Sequence, residues 1–434
     1  LPPCWACNSE RPRPVREHDL AHAGDAVYIF AAAERQSMKL RFRSLRWLFV
    51  VVGAAIIVGP LVSLRATRAT SRFAYASGVL GAAPIPGDSA FARLVQRLSE
   101  PGGYFDSDNL ISNETSYLHV LDGMRRLKVQ GGAYIGVGPD QNFSYIAAVR
   151  PDIAFMLDIR RDNLLEHLLF KALFAMSRNR IEYMCLLFGK PLPRDVDRWG
   201  SKSIQELVDY IDRTHADGDV VDSVQSAISQ RVRRFGIPLS TLDLETIARI
   251  RDAFVRDSLD LRYSSIGRAP RPYHPTYRTL LLERDRAGHQ ANFLASEDAF
   301  QFVKGLEARD LIVPVVGNAA GDHALSAIGQ YIAERGENVS AFYISNVEQY
   351  LIRDGGFPQF AENVKLLPRD RRSVIIRSFF GYGYGFGAAG SHPLNVPGHY
   401  STQILQTLDA FVATYDSGEV RSYYDLISKN YVAP

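Results

Sequence analysis

Cysteine is scarce: Cys4, Cys7 and Cys185 are the only three in 434 residues, too few for a disulfide framework. Cys4 and Cys7 stand in a C-x-x-C pair, but no second Cys or His pair follows at zinc-site spacing and no βαβ pattern surrounds it. An excess of one charge is also lacking. The 50 basic residues against 47 acidic leave a net charge of +3, which gives no overall electrostatic footprint for a nucleic-acid partner. Three catalytic signatures are missing: His-Glu-x-x-His, Gly-x-x-x-x-Gly-Lys-Ser/Thr and Gly-x-Ser-x-Gly. Zinc-protease, P-loop and α/β-hydrolase chemistries therefore lack their anchor residues. The ten histidines are scattered and read as structural or surface groups.

What is present is a folding composition, 46% hydrophobic and 22% charged, with length enough for a large core and two or three domains. Residues 47–64 (WLFVVVGAAIIVGPLVSL) form an uncharged run near the minimum for crossing a bilayer, preceded by Lys39, Arg41, Arg43 and Arg46. Met38 is the first methionine, and the text from it reads as a basic region followed by an apolar one. Residues 1–46 are therefore expected as a leader, with the part before Met38 outside the mature protein. No small-residue cleavage site follows the apolar run directly, which favours an uncleaved anchor in an inner membrane. Arg65, Arg68 and Arg72 balance the basic residues in front, so the positive-inside rule leaves the orientation open. Residues 65–90, rich in Ala, Ser, Gly and Pro, read as a tether.

From Ala133 onward, short apolar runs alternate with helical patterns, the signature of βα units and a mostly parallel sheet. A strand at 133–137, a helix at about 141–149 and a second strand at 153–157 are expected first. Asn163 with Glu166 three residues on resembles a capping box for a helix lined by Leu164, Leu165, Leu168, Leu169 and Ala172. Between 177 and 290 the strand pattern gives way to amphipathic helices, for example Ile204, Leu207, Val208 and Ile211, then Ile247, Ile250 and Phe254. Strands resume at 312–316, 339–344 and 373–376, with a helix at about 324–333. The expected domain thus has a first part at 91–176, a helical insertion at 177–290 and a second part at 291–434. Its fold class is α/β, with a Rossmann-like, mostly parallel sheet. The run 381–387 (GYGYGFG) reads as a flexible loop.

Gly136 and Gly138 sit where the first strand must turn sharply into a helix, and Asp158 lies about twenty residues on, at the end of the next strand. There an acid accepts hydrogen bonds from a ribose diol. Gln141 stands where the dinucleotide pattern Gly-x-Gly-x-x-Gly needs its third glycine, and Asp140 puts a carboxylate at a helix N-terminus where a pyrophosphate would compete with it. Both departures favour S-adenosylmethionine, which has no phosphate, over NAD. Arg160 and Arg161 beside Asp158 suit a 2′-phosphate and keep an NADP-linked oxidoreductase as an alternative.

Three blocks, 100–118 (EPGGYFDSDNLISNETSYL), 131–146 and 158–163 (DIRRDN), resemble a family of largely uncharacterised bacterial proteins with a class I S-adenosylmethionine-dependent methyltransferase-like core. The resemblance runs from about Phe91 to the C-terminus. It implies that Gly136 and Gly138 form the cofactor loop and that Asp158 is the ribose-binding acid. Two positions depart from the general pattern: Tyr134 replaces the acid two residues before the first loop glycine, and Asp140 replaces the third glycine. Asp140, Gln141, Asn142 and Arg160 complete the expected cofactor set. Asn346, Glu348 and Tyr350, following a late strand, are candidates for orienting a methyl acceptor, or else cap a helix. Asn318, Asp322 and His323 read as a cavity rim or as a helix cap. Asn113, Glu114 and Tyr117 read as a lid or as an ordinary helix start. The expected activity is methyl transfer to an unknown acceptor on the cytoplasmic side, where S-adenosylmethionine is found. A non-catalytic binding or scaffold protein on the same fold is the other alternative.

Overall fold

A computed structural model describes residues 89–266, 268, 270–381 and 392–433. Among them six strands form one sheet in the order β3-β2-β1-β4-β5-β6. These are β1 (Ala133–Gly136), β2 (Ile153–Asp158), β3 (Ile312–Val316), β4 (Val339–Ser345), β5 (Val374–Phe379) and β6 (Thr402–Thr407). β1 to β5 run parallel, and β6 pairs antiparallel with β5. The parallel strands are buried along almost their whole length, as expected when helices cover both faces of a sheet. That burial explains why Ile-Val-Pro-Val-Val and Ala-Phe-Tyr-Ile read as continuous apolar runs.

The α/β class and the mostly parallel sheet agree with the sequence pattern. β6 is the strand that the pattern misses, because its sequence TQILQT carries two apolar residues between polar ends. Gln403 and Gln406 are nonetheless buried; their amides are matched by Ser378 and Arg377 on the neighbouring strand.

The helix after β2 begins at Arg161, not at Asn163. The chain enters it through Asp158, whose carboxylate accepts the Arg160 backbone N–H at 2.9 Å, so no capping box forms at Asn163 and Glu166. Both face inward in a helix, Arg161–Met176, that is buried from Asn163 to Phe174. It is wedged between the sheet and the helices Arg180–Phe188, Gly218–Arg233 and Thr241–Asp257. Arg251, fully buried, joins these helices by donating to the carbonyls of Leu186 and Val221. The insertion is not helical throughout: after Asp260 the chain runs as an irregular segment to Thr276, where Pro270, Pro272 and Pro275 remove backbone donors.

The first described helix, Ala90–Leu98, is capped by the Ser89 hydroxyl. No helix among the described residues is long and apolar enough to cross a membrane. The apolar run 47–64, Cys4, Cys7 and most of the expected tether and glycine-rich loop lie outside the described residues.

Candidate functional site

The strand order reverses between β1 and β4, and a cavity of about 880 Å³ opens there, at the carboxyl ends of the strands. Such a crevice is where open α/β sheets bind ligands. Its floor is made by Gly138 after β1, Asp158 on β2, Gly317 after β3, Ser345 on β4 and Phe380 after β5. Two segments wall it from above. Residues 104–109 pair with the irregular part of the insertion through a Ser107–Ser265 bridge and an Ile266 N–H that donates to the Asp106 carbonyl at 2.9 Å. Tyr273 and Tyr400, both on the cavity wall, stack with ring centroids 3.8 Å apart.

The glycine turn has the strain that its sequence suggests. Gly138 has φ +84°, a conformation that a Cβ disfavours. At Gly136 a Cβ would lie 2.0 Å from Asn142 Oδ1. Asn142 therefore belongs to the turn itself: fully buried, it accepts from the Tyr134 hydroxyl at 2.7 Å and donates to the carbonyls of Val137 and Pro139. Neither Gly136 nor Asn142 lines the cavity, whereas Val137, Gly138, Pro139 and Gln141 of this turn do. Gln141 donates to the Tyr343 hydroxyl at 3.2 Å, and its buried Oε1 has no hydrogen-bond partner.

Asp140, expected at the ligand, points the other way. Its carboxylate is buried against the Tyr277 hydroxyl of the insertion and is absent from the cavity wall. Burial pushes this carboxyl up to about 7, although the Tyr277 hydrogen bond pulls it down. His167 sits behind the same turn, 3.0 Å from the Gly138 carbonyl, and burial lowers it to about 4, so the imidazole is neutral.

Asp158 and Arg160 both line the cavity, joined as an ion pair at 3.0 Å. Arg160 also donates to the carbonyls of Ser107 and Asp108 at 3.0 and 2.7 Å. It is a clasp between the end of β2 and the covering segment, and all its nitrogens are engaged by protein oxygens. Arg161 faces away, paired with Asp243 at 2.9 Å.

Of the residues after β4, Asn346 and Tyr350 line the cavity, and Tyr350 packs edge-on against Phe105. Asn346 occupies the N-cap position of the helix Val347–Asp354 without a side-chain cap bond. Glu348 is not on the cavity. It is fully buried and ion-paired with Arg377 on β5. The geometry gives it a structural partner in place of an acceptor.

Glu114 lies on the cavity wall although it is almost fully buried. Burial raises its carboxyl above the ordinary range, against hydrogen bonds from Ser345, Ser378, Tyr343 and Gln403. A buried acid in a cleft, with its charge state set by desolvation, is a functional-site signature. Asn113 also lines the cavity, whereas Tyr117 is in the core. Asn318 is on the rim, but Asp322 caps nothing: the helix that starts at Ala324 is held by Glu100, which accepts the N–H groups of Asn318 at 2.7 Å and Ala324 at 3.3 Å. His323 is turned to the Arg97 carbonyl at 2.8 Å. Among the wall residues that sequence reasoning missed are Tyr263, Arg268, Arg271 and Tyr273. Their signal was the proline spacing around them, which no helical insertion tolerates.

The family described as "Domain of unknown function (DUF7790)" matches residues 110–193 and 244–429. The matched segments hold the glycine turn, Asp158, Glu114 and the ends of β3, β4 and β5. The unmatched 194–243 falls in the helical insertion. No curated protein matches the chain.

Proposed function

The chain belongs to the DUF7790 family, and we propose that it binds S-adenosylmethionine in the cleft at the β1/β4 switch point and passes the methyl group to an acceptor held beside Glu114. The observation that carries the reading is the meeting of Gly138 and Asp158, from adjacent central strands, on one cavity at the sheet's carboxyl edge. We further read the sheet as the class I methyltransferase type. A dinucleotide-binding sheet of the same order is built from two parallel halves, whereas β6 here runs antiparallel.

The residues present fit this ligand. The lone pair that Arg160 leaves free on Asp158 Oδ2 suits one hydroxyl of a ribose, and the Gly138 turn admits close approach. Arg160 and Arg161 are both committed to protein partners, which weakens the argument for a 2′-phosphate beside Asp158. When bound, S-adenosylmethionine supplies a methyl group on a good leaving group, so the protein's contribution is alignment and proton handling. Asn346 and Tyr350 orient the acceptor at the mouth of the cleft. Glu114 takes the proton that the acceptor gives up, a role that a buried carboxyl with a raised pKa suits at neutral pH.

Calorimetry of the full chain with S-adenosylmethionine, S-adenosylhomocysteine and NADP tests the reading. The first two are expected to bind and NADP not to. Asp158→Asn keeps an acceptor for Arg160 and is expected to weaken binding roughly 10- to 100-fold, the worth of a hydrogen bond to a charged group. No binding of either sulfur compound at millimolar concentration sinks the proposal. A second reading, a binding protein without turnover, is favoured by one fact: Glu114 is already engaged by Ser345 and Gln403. Transfer of labelled methyl to a cell-extract component by the wild type, lost in Glu114→Gln, excludes it.

A further inference from the structure

A second cavity, of about 600 Å³, shares no residue with the first and lies where three distant segments meet. His119 comes from the short 3₁₀ turn Tyr117–Val120 before β1, Glu283 from the end of the helix Tyr277–Leu282, and His399 from the loop before β6. All three side chains line this cavity, with exposures of 8, 12 and 21%. His399 Nε2 is 3.2 Å from Glu283 Oε1, and His119 Nε2 is 3.8 Å from the same oxygen. The latter is longer than a hydrogen bond but within ion-pair range. One ligand atom from each residue lies within 4.8 Å of the other two.

We infer that His119, Glu283 and His399 form a binding site for a divalent transition-metal cation of the zinc class, with a fourth position left for water on the cavity side. The donor chemistry fits: two imidazoles and one carboxylate are a set that zinc takes with an open position, and imidazole selects zinc and its neighbours over magnesium or calcium. The spacing fits as well. Bonds of about 2.0–2.1 Å in tetrahedral geometry place donor atoms about 3.3 Å apart, so the 3.2 Å pair is in place, the His119 ring needs to close by well under an ångström toward the carboxylate, and the two imidazole nitrogens, within 4.8 Å of each other, draw together on binding. Thiolates are not involved, which suits a chain whose described cysteine, Cys185, is buried elsewhere. All three ligands fall in the segments matched by the family, 110–193 and 244–429. A cation here ties the loop before β6 to the insertion and to the segment preceding β1, none of which are adjacent in sequence.

The test uses the full chain stripped with a chelator and titrated with Zn²⁺ by calorimetry. One equivalent is expected to bind, and Co²⁺ loading is expected to give the visible absorption of a nitrogen- and oxygen-ligated centre. Glu283→Gln alone and His119→Gln with His399→Gln are each expected to weaken binding at least about 100-fold, more than the loss of an outer-shell partner. Thr279→Ala, on the wall of the same cavity, is expected to bind as the wild type does. Circular dichroism of each variant separates loss of the site from loss of the fold. Absence of Zn²⁺ binding by the wild type at micromolar concentration, or equal affinity in the double histidine variant, overturns the assignment. The outcome is independent of whether the first cavity takes S-adenosylmethionine.

Discussion

Burial pushes the Asp140 carboxyl up to about 7, and this has a direct consequence for stability. In the unfolded chain the same group ionises near 3.9, so between about pH 4 and pH 7 the native state keeps a proton that the unfolded state has released. Stability from this group is therefore complete below about pH 4 and lost as the pH rises toward 7. Asp140→Asn removes the titration. The variant is expected to gain on the wild type between about pH 4 and pH 8, by on the order of 4 kcal/mol at the upper limit, measured by denaturant unfolding at each pH. His167, lowered to about 4, acts in the opposite sense: it costs stability as the pH falls below about 6.5, because the unfolded imidazole protonates there. It is present in both proteins, so it drops out of the difference. A gain that is the same at every pH would show that Asp140 does not titrate in this window. The sequence shows that an acid stands in the turn; it does not show which way it faces. Gly136, Gly138 and Asp158 are legible because backbone geometry and spacing fix their places. Asp140, Asn142 and Arg160 are not, because their partners, Tyr277, Tyr134 and the carbonyls of residues 107 and 108, come from chain segments that only the tertiary fold brings near.

At the scale of elements, the β4-β5-β6 edge carries a buried polar seam. Arg377 on β5 bonds Glu348 from the helix after β4 and Gln406 on β6, while Ser378 bonds Gln403, which reaches Glu114. Strand pattern recognition relies on apolar residues, so a strand whose inward groups are glutamines paired across the sheet is invisible to it; the parallel strands, each opening on or carrying an apolar run, are not. The same seam explains why Glu348 reads as a site residue from its position after a strand and yet serves the sheet edge. Breaking a buried pair by removing one partner typically costs about 3–5 kcal/mol. Glu348→Ala is expected to lose stability on that scale, seen as a lower denaturation midpoint, while the folded protein binds S-adenosylmethionine with unchanged affinity. A loss of affinity without a loss of stability would return Glu348 to the ligand. The helical insertion shows the converse limit of periodicity. Its helices are legible from their apolar stripes, but the wall-forming stretch with Tyr263 and Tyr273 has no period, and its contribution comes from where the fold carries it.

For the whole molecule, the decisive question is which side of a membrane the cleft faces. Residues 47–64 remain our proposal for an anchor, and Lys39, Arg41, Arg43 and Arg46 on one side against Arg65, Arg68 and Arg72 on the other give the insertion machinery little to choose between. Function supplies the constraint that charge does not. A cleft that uses S-adenosylmethionine needs a cytosolic supply of it, because the compound is consumed once per turnover. A reporter fused after Pro434 is therefore expected to be active only in its cytoplasmic form, with residues 39–46 on the opposite side if residues 47–64 span the bilayer once. A reporter active outside the cytoplasm would leave the cleft without its methyl donor and favour the binding protein without turnover. It would leave the assignment of His119, Glu283 and His399 intact, since zinc-class cations are available on both sides. The two sites of this domain can thus be separated by topology alone.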